Sequence, residues 1–224
     1  MALQDPSSRP KQEPAIKGSV FKGIVAHALE VCAKRNISAA DLERHLGRDG
    51  VTLLHATISP AVWYPIAFYG KLREFLREVE GGGSERYSIE AGAESARRLI
   101  QSGMYPQLVR LDGFSTSGRS GPLTPAQKAE RLDQFKQQLT RVAGIHGALF
   151  NFSSMELKAD PKYPDRVRLE YWDFGAMPPD GRLAVLGFWN ELGGRWSQSK
   201  RDLFQKVDLA DHYLLRMTRD VSAL

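Results

Sequence analysis

Apolar positions recur every three or four residues through the first two-thirds of the chain and every second residue in much of the last third. Between residues 18 and 35, Phe21, Ile24, Val25, Ala28, Leu29 and Cys32 form one helical stripe. Ser38 precedes a short helix reaching Leu46, and Gly47 is a natural stop. Ser59-Pro60 opens the next helical region, and Pro65 starts a second segment or bends the first. Ile66, Phe68, Tyr69, Leu72, Phe75, Leu76 and Val79 then repeat at helical spacing. Lys71, Arg73, Glu74, Arg77 and Glu78 fill a solvated opposite face, and Gly81-Gly82-Gly83 ends the helix. Ser88 is the cap expected for another helix, with Ile89, Ala93, Ala96, Leu99 and Ile100 inward. Residues 113–122 read as a flexible loop. Thr124-Pro125-Ala126-Gln127 combines a capping box with proline at the first helical position. Leu132, Phe135, Leu139 and Val142 continue that helix to about Gly144–Gly147.

After His146 the period changes. Residues 149–159 lean toward alternation, 160–165 are rich in turn residues, and Val167, Leu169 and Tyr171 alternate with Arg168, Glu170 and Trp172. This predicts a β-hairpin. A loop over 175–181 leads to a helix from Arg182 to Ser197, with Val185, Phe188, Trp189, Leu192 and Trp196 on one face. A second hairpin follows, from Leu203–Val207 and Tyr213–Met217 around a turn near Asp208–Asp211. The fold class is α+β: an N-terminal helical part packed on a four-stranded antiparallel sheet of order β-β-α-β-β. Residues 1–15, with three prolines and few large apolar groups, are expected to be a flexible tail. Residues 16–220 are expected to form a single domain, helical over 16–147 and sheet-forming over 148–220.

Composition narrows the function classes. Apolar residues at 42% and charged residues at 25% exclude wholesale disorder. No run approaches about 20 apolar residues, so no membrane span is expected. The tail lacks a signal peptide's apolar stretch, and Ala2 excludes N-myristoylation, so a cytoplasmic location is the default. The net charge of +5 permits an anionic partner, but the basic residues are dispersed without a Lys/Arg stripe, so nucleic acid is not expected. Cys32 is the single cysteine, which excludes an internal disulfide. Its place on an apolar stripe makes it a small buried hydrophobe. His45 and His55 lie ten residues apart and read as surface histidines. No GxSxG, Walker A, GxGxxG or HExxH pattern is present, and no carboxylate pair is singled out, so an enzymatic role is not expected.

The order of elements resembles the heme–nitric oxide/oxygen-binding (H-NOX) domain and its 4-vinyl-reductase-like relatives over roughly residues 16–219. The residues that carry the resemblance are Ile16-Lys17-Gly18-Ser19-Val20-Phe21, Trp63-Tyr64-Pro65, Arg168-Leu169-Glu170-Tyr171 and Leu183-Ala184-Val185-Leu186-Gly187-Phe188. The chain is also similar to a family of myxobacterial proteins of comparable length. The H-NOX resemblance implies heme as cofactor, with His146 as the iron ligand, since imidazole donates its lone pair to heme iron. It also implies a Tyr-x-Ser-x-Arg propionate clamp. Here that stretch keeps Tyr171, but Asp173 stands for serine and Gly175 for arginine, leaving Arg168 or Arg182 as substitutes. The alternative role for His146 is a helix C-terminal histidine interacting with the macrodipole.

Trp63, Tyr69, Trp172 and Phe188 join His146 and Tyr171 as candidate ligand-binding residues, set between helices and sheet, with a packed core as the alternative. The expected function is a non-catalytic sensory or regulatory domain. It would bind a small apolar or tetrapyrrole-like ligand and, lacking an attached output domain, act through a separate protein partner. The alternatives are a ligand-free interaction scaffold or adaptor and an enzyme with an unrecognised site. Exposed sheet edges permit a homodimer.

Overall fold

The computed structural model describes residues 13–104, 123–197, 201–209 and 212–220. The loop expected over 113–122, the first twelve residues of the expected tail and part of the 208–211 turn lie outside them. The elements in order are β1 (Ala15–Lys17), α1 (Gly18–Arg35), α2 (Ala39–Leu54), β2 (Trp63–Pro65), α3 (Ile66–Val79) and α4 (Glu85–Gln101). There follow α5 (Pro125–Leu149), β3 (Ser154–Ala159), β4 (Val167–Trp172), α6 (Pro179–Ser197), β5 (Phe204–Asp208) and β6 (Tyr213–Met217). The protein is thus mixed helix and sheet, and its larger sheet has four antiparallel strands in the order β3-β4-β6-β5.

The helical stripes behave as their spacing requires. Phe21, Ile24, Val25 and Ala28 of α1 are buried, as are Leu72, Phe75 and Leu76 of α3. A fully buried side chain of this size contributes about 1.5–3 kcal/mol relative to exposure. Asn36 closes α1 in the left-handed region at φ 54°, which a short polar side chain tolerates. The capping box at the start of α5 is present, with Gln127 N–H donating to Thr124 Oγ1 and Thr124 N–H to Gln127 Oε1. Cys32 is half-buried against the core, and burial raises its thiol pKa.

Several boundaries differ from expectation. Gly47 does end the helical run that opens at Ala39, at φ 72° and ψ 165°, but a second, unexpected run follows the kink and takes α2 on to Leu54. No helix opens at Ser59-Pro60. Residues 63–65 instead form β2, pairing with β1 through Ile16 opposite Tyr64. The tail boundary at residue 15 therefore falls inside a strand, with Ala15 buried. Ser88 is not a cap. The N-cap of α4 is Ser84, and Ser88 lies inside the helix donating to Asp180 Oδ1 at 2.9 Å. Helix α5 runs to Leu149, past its expected glycine stop, and carries His146 in its last turn. Helix α6 begins at Pro179 rather than Arg182.

Two features fix the helices around the sheet. Asp180 in the first turn of α6 accepts from Ser88 of α4 and lies 3.3 Å from Arg77 Nε of α3, so one buried carboxylate ties three helices. Helices α4 and α6 also cross at glycines. A Cβ on Gly92 would sit 1.9 Å from Ala184 O, and one on Gly187 would sit 1.8 Å from Ile89 O. Only residues without a side chain allow that approach. Helix α6 then presents Trp189 to the buried face of β4 and to Phe204 of β5, whose ring lies 6.1 Å away.

Candidate functional site

Helices α3, α4, α5 and α6 meet the buried face of β4 around a cavity of about 70 Å³. Its wall is mostly apolar, from Val142 and Ile145 of α5 to Phe188 and Trp189 of α6. Among the described residues no aspartate or glutamate lines it, and Arg73 is the only arginine or lysine that does. The polar groups that reach it are Tyr69, Arg73, Ser95, His146 and Tyr171.

His146 is 8% exposed. Its Nε2 lies 2.8 Å from Ser153 Oγ, within hydrogen-bonding distance. Its ring packs against Phe150 at 4.9 Å and edge-on to Tyr171 at 5.3 Å. Burial lowers its pKa to about 4, with the hydrogen bond at Ser153 opposing the shift, so the imidazole is neutral at pH 7. The side chain is therefore packed inward, while the His146 carbonyl accepts from Phe150 N–H at the helix end.

Tyr171, 1% exposed, receives a hydrogen bond from Trp189 Nε1. Burial pushes its pKa well up, so it stays a neutral hydroxyl. Arg73 is 6% exposed. Its Nε donates to Tyr69 Oη at 2.9 Å, its Nη2 to Ser95 Oγ at 3.4 Å, and its guanidinium carbon lies 5.1 Å from the Tyr69 ring centroid. Sequence reading placed Arg73 on the solvated face. Yet it stands four residues after Tyr69 and three before Leu76, both buried, and that spacing was the signal that puts it inside.

Arg73, Ser95, Val20 and Leu99 also line a wider groove of about 660 Å³ between α1 and α4. Those four residues form the wall that the cavity and the groove share. In the groove, Glu80 Oε2 accepts from Tyr87 Oη at 2.6 Å and sits 2.7 Å from His27 Nε2. Burial raises the Glu80 carboxyl pKa, but those two bonds outweigh it and hold it below the usual value. Arg97 is paired with Glu94 and Glu191, and Arg98 with Glu94.

Four of the six candidate residues, Tyr69, His146, Tyr171 and Phe188, come together around the cavity. Trp63 does not. It is 37% exposed on the β1–β2 ribbon, with Lys17 Nζ 4.5 Å over its ring. Trp172 does not either. Strand geometry turns neighbours to opposite faces, so Trp172 points away from Tyr171 and stacks on His212 at 4.4 Å beside Lys158.

The residues present do not fit heme. The iron-binding nitrogen expected of His146 is engaged near Ser153, and cofactor pockets commonly run from about 300 Å³ upward. Neither substitute clamp stands ready. Arg168 Nη2 lies 2.5 Å from buried Glu170, and Arg182 donates to the carbonyls of Met177, Phe174 and Gly175. Among the described residues no group of three or more His, Cys, Asp or Glu could hold a metal ion. Nor, among them, is any helix long and apolar enough to cross a membrane.

No family model, no curated protein and no solved structure matches this chain. The chemistry of the site is therefore read from its own residues.

Proposed function

We propose that this chain is a non-catalytic sensory or regulatory domain that takes a small apolar ligand beside His146 and Tyr171 and acts through a protein partner. The observation that carries the reading is the apolar cavity at the meeting of four helices and the sheet, with Arg73 in the wall it shares with the α1–α4 groove. Occupying such a space favours one packing of the surrounding helices over another, which is how a binding event becomes a signal. The H-NOX-like arrangement belongs to the same proposal. What supports it is the order of elements, with His146 on the helix before the sheet and Tyr171 on β4.

Native mass spectrometry and an absorption spectrum of the purified protein, followed by titration with small apolar probes such as 1-butanol and 1-pentanol, test it. A bound small molecule or saturable probe binding, lost when Ile145→Trp fills the cavity, supports a ligand-binding domain. A protein that carries nothing and binds no probe is the fully packed scaffold or adaptor. A Soret band that disappears in His146→Ala would overturn the misfit with heme.

A further inference from the structure

We propose that the ligand of this cavity is an apolar monocarboxylate, its carboxylate held by Arg73 and its hydrocarbon part beside Tyr171. The proposal rests on the reading that the cavity takes a small ligand, and it names the ligand's chemical class.

The first support is the state of Arg73. A guanidinium removed from water is costly unless a negative charge and hydrogen bonds replace the lost hydration. Arg73 is 6% exposed, and its hydrogen-bond partners among the described residues are the neutral hydroxyls of Tyr69 and Ser95, the second at 3.4 Å. No carboxylate of the described residues lies within 4.0 Å, and no acceptor among them engages Nη1. The other arginines of the groove, Arg97 and Arg98, each have a carboxylate. One charged, buried group in the wall between cavity and groove thus has no counter-ion among the described residues.

The second support is the donor inventory. Tyr171 accepts from Trp189, and Tyr69 accepts from Arg73. Neither hydroxyl proton has an acceptor among the described residues, because each side-chain bond made there is one the oxygen receives. Ser95 Oγ spends its own proton on Ala91 O at 2.8 Å. The polar atoms left over are donors, and a carboxylate only accepts. Its oxygens also match the planar guanidinium fork.

Charge and size set the rest. A single buried cation with no carboxylate in the wall balances one negative charge, which fits a monocarboxylate better than a phosphate dianion. The cavity of about 70 Å³ is roughly half of an engineered ~150 Å³ cavity that admits benzene, so it suits a chain of about three to five carbons. The groove of about 660 Å³ lies on the other side of Arg73 and shares that wall with the cavity.

Pentanoate and its neutral counterpart 2-hexanone, titrated by calorimetry and by tryptophan fluorescence, provide the test. They are applied to the wild type, Arg73→Gln and Ser95→Asp. The last variant places a carboxylate beside Arg73 Nη2, so it competes with the ligand while supplying the missing counter-ion. Its thermal transition should hold or rise. Pentanoate should bind the wild type and bind both variants at least about tenfold more weakly, whereas the ketone should bind all three alike. Equal binding of acid and ketone, unchanged in Arg73→Gln, would overturn the carboxylate assignment and leave the apolar cavity standing. If no carboxylate or ketone of about three to six carbons binds the wild type, the cavity reading fails and this proposal with it.

Discussion

Trp189 on α6 donates its indole N–H to the hydroxyl oxygen of Tyr171 on β4, joining two side chains that are 3% and 1% exposed. The bond is one of several polar ties between the crossover helix and the sheet, beside those of Asn190 with Phe204 and of Tyr213 with the Arg182 carbonyl, and it is the one made between two fully packed side chains. Tyr171→Phe would keep the ring and leave the indole N–H without an acceptor. A buried donor left unsatisfied costs about 1–3 kcal/mol. Urea denaturation should show that loss, and a variant as stable as the wild type would show that the tie contributes nothing.

His146 gives the fold an acid sensitivity of known sign. Its pKa is lowered from 6.5 to about 4 by burial, so the unfolded chain binds a proton that the folded chain refuses. Its contribution is fully present above pH 6.5 and is lost as pH falls from there through about 4. The shift corresponds to about 3 kcal/mol. Stability measured across that window should decline less steeply in His146→Leu than in the wild type. Parallel declines would assign the acid sensitivity to other groups.

The glycines of the α4–α6 crossing should behave opposite to those of α5. Gly92→Ala and Gly187→Ala each drive a methyl group into a neighbouring backbone carbonyl. Overpacking of this kind costs about 1–3 kcal/mol or more. Gly144 and Gly147 lie inside helical α5, and a Cβ there would meet nothing within 4 Å. Alanine at either should stabilise by about 0.5–1 kcal/mol. Melting temperatures of the four variants decide the matter. A loss at Gly144 comparable to that at Gly92 would contradict the packing.

Phe188 and Trp63 separate cavity wall from surface. Phe188→Ala enlarges the cavity and should shift preference toward larger apolar probes, at a stability cost of about 1–3 kcal/mol. Trp63→Ala removes an exposed ring under Lys17, worth about 0.5–1 kcal/mol, and should leave probe binding unchanged. Probe titrations of both variants check this, and an effect of Trp63→Ala on binding would place the site elsewhere.

The long amphipathic helices and both hairpins of the larger sheet were legible because their patterns repeat over many residues. Strands β1 and β2 were not. Each has three residues, too few to show a period, and each is specified by its partner some fifty positions away. Gly47 was legible as the end of the first helical run, whereas the second run to the fully buried Leu54 was too short to show a period of its own.

The site divides the same way. Tyr171 was singled out through the resemblance, its place on the buried face followed from strand alternation, and the same alternation excludes Trp172 from that side of the sheet. Arg73 was misplaced because charge was weighed above position, although its spacing from Tyr69 and Leu76 sets it on the apolar stripe. Its lack of a counter-ion depends on where α4 brings Glu94 and Ser95, which no local pattern carries.

Residues 13–16 form a late stitch in the assembly of the chain. Ala15 N–H donates to Asn151 Oδ1 at 2.7 Å across 136 positions, Asn151 N–H returns to Ala15 O, and Ile16 bridges to Phe150. Pro14 O meanwhile accepts from Ile66 N–H. Contacts this distant in sequence are made only after a large loop has closed, so they slow the approach to the native state. Phe150 is also a wall of the cavity, so the wall beside His146 is complete only when the two ends of that loop have met.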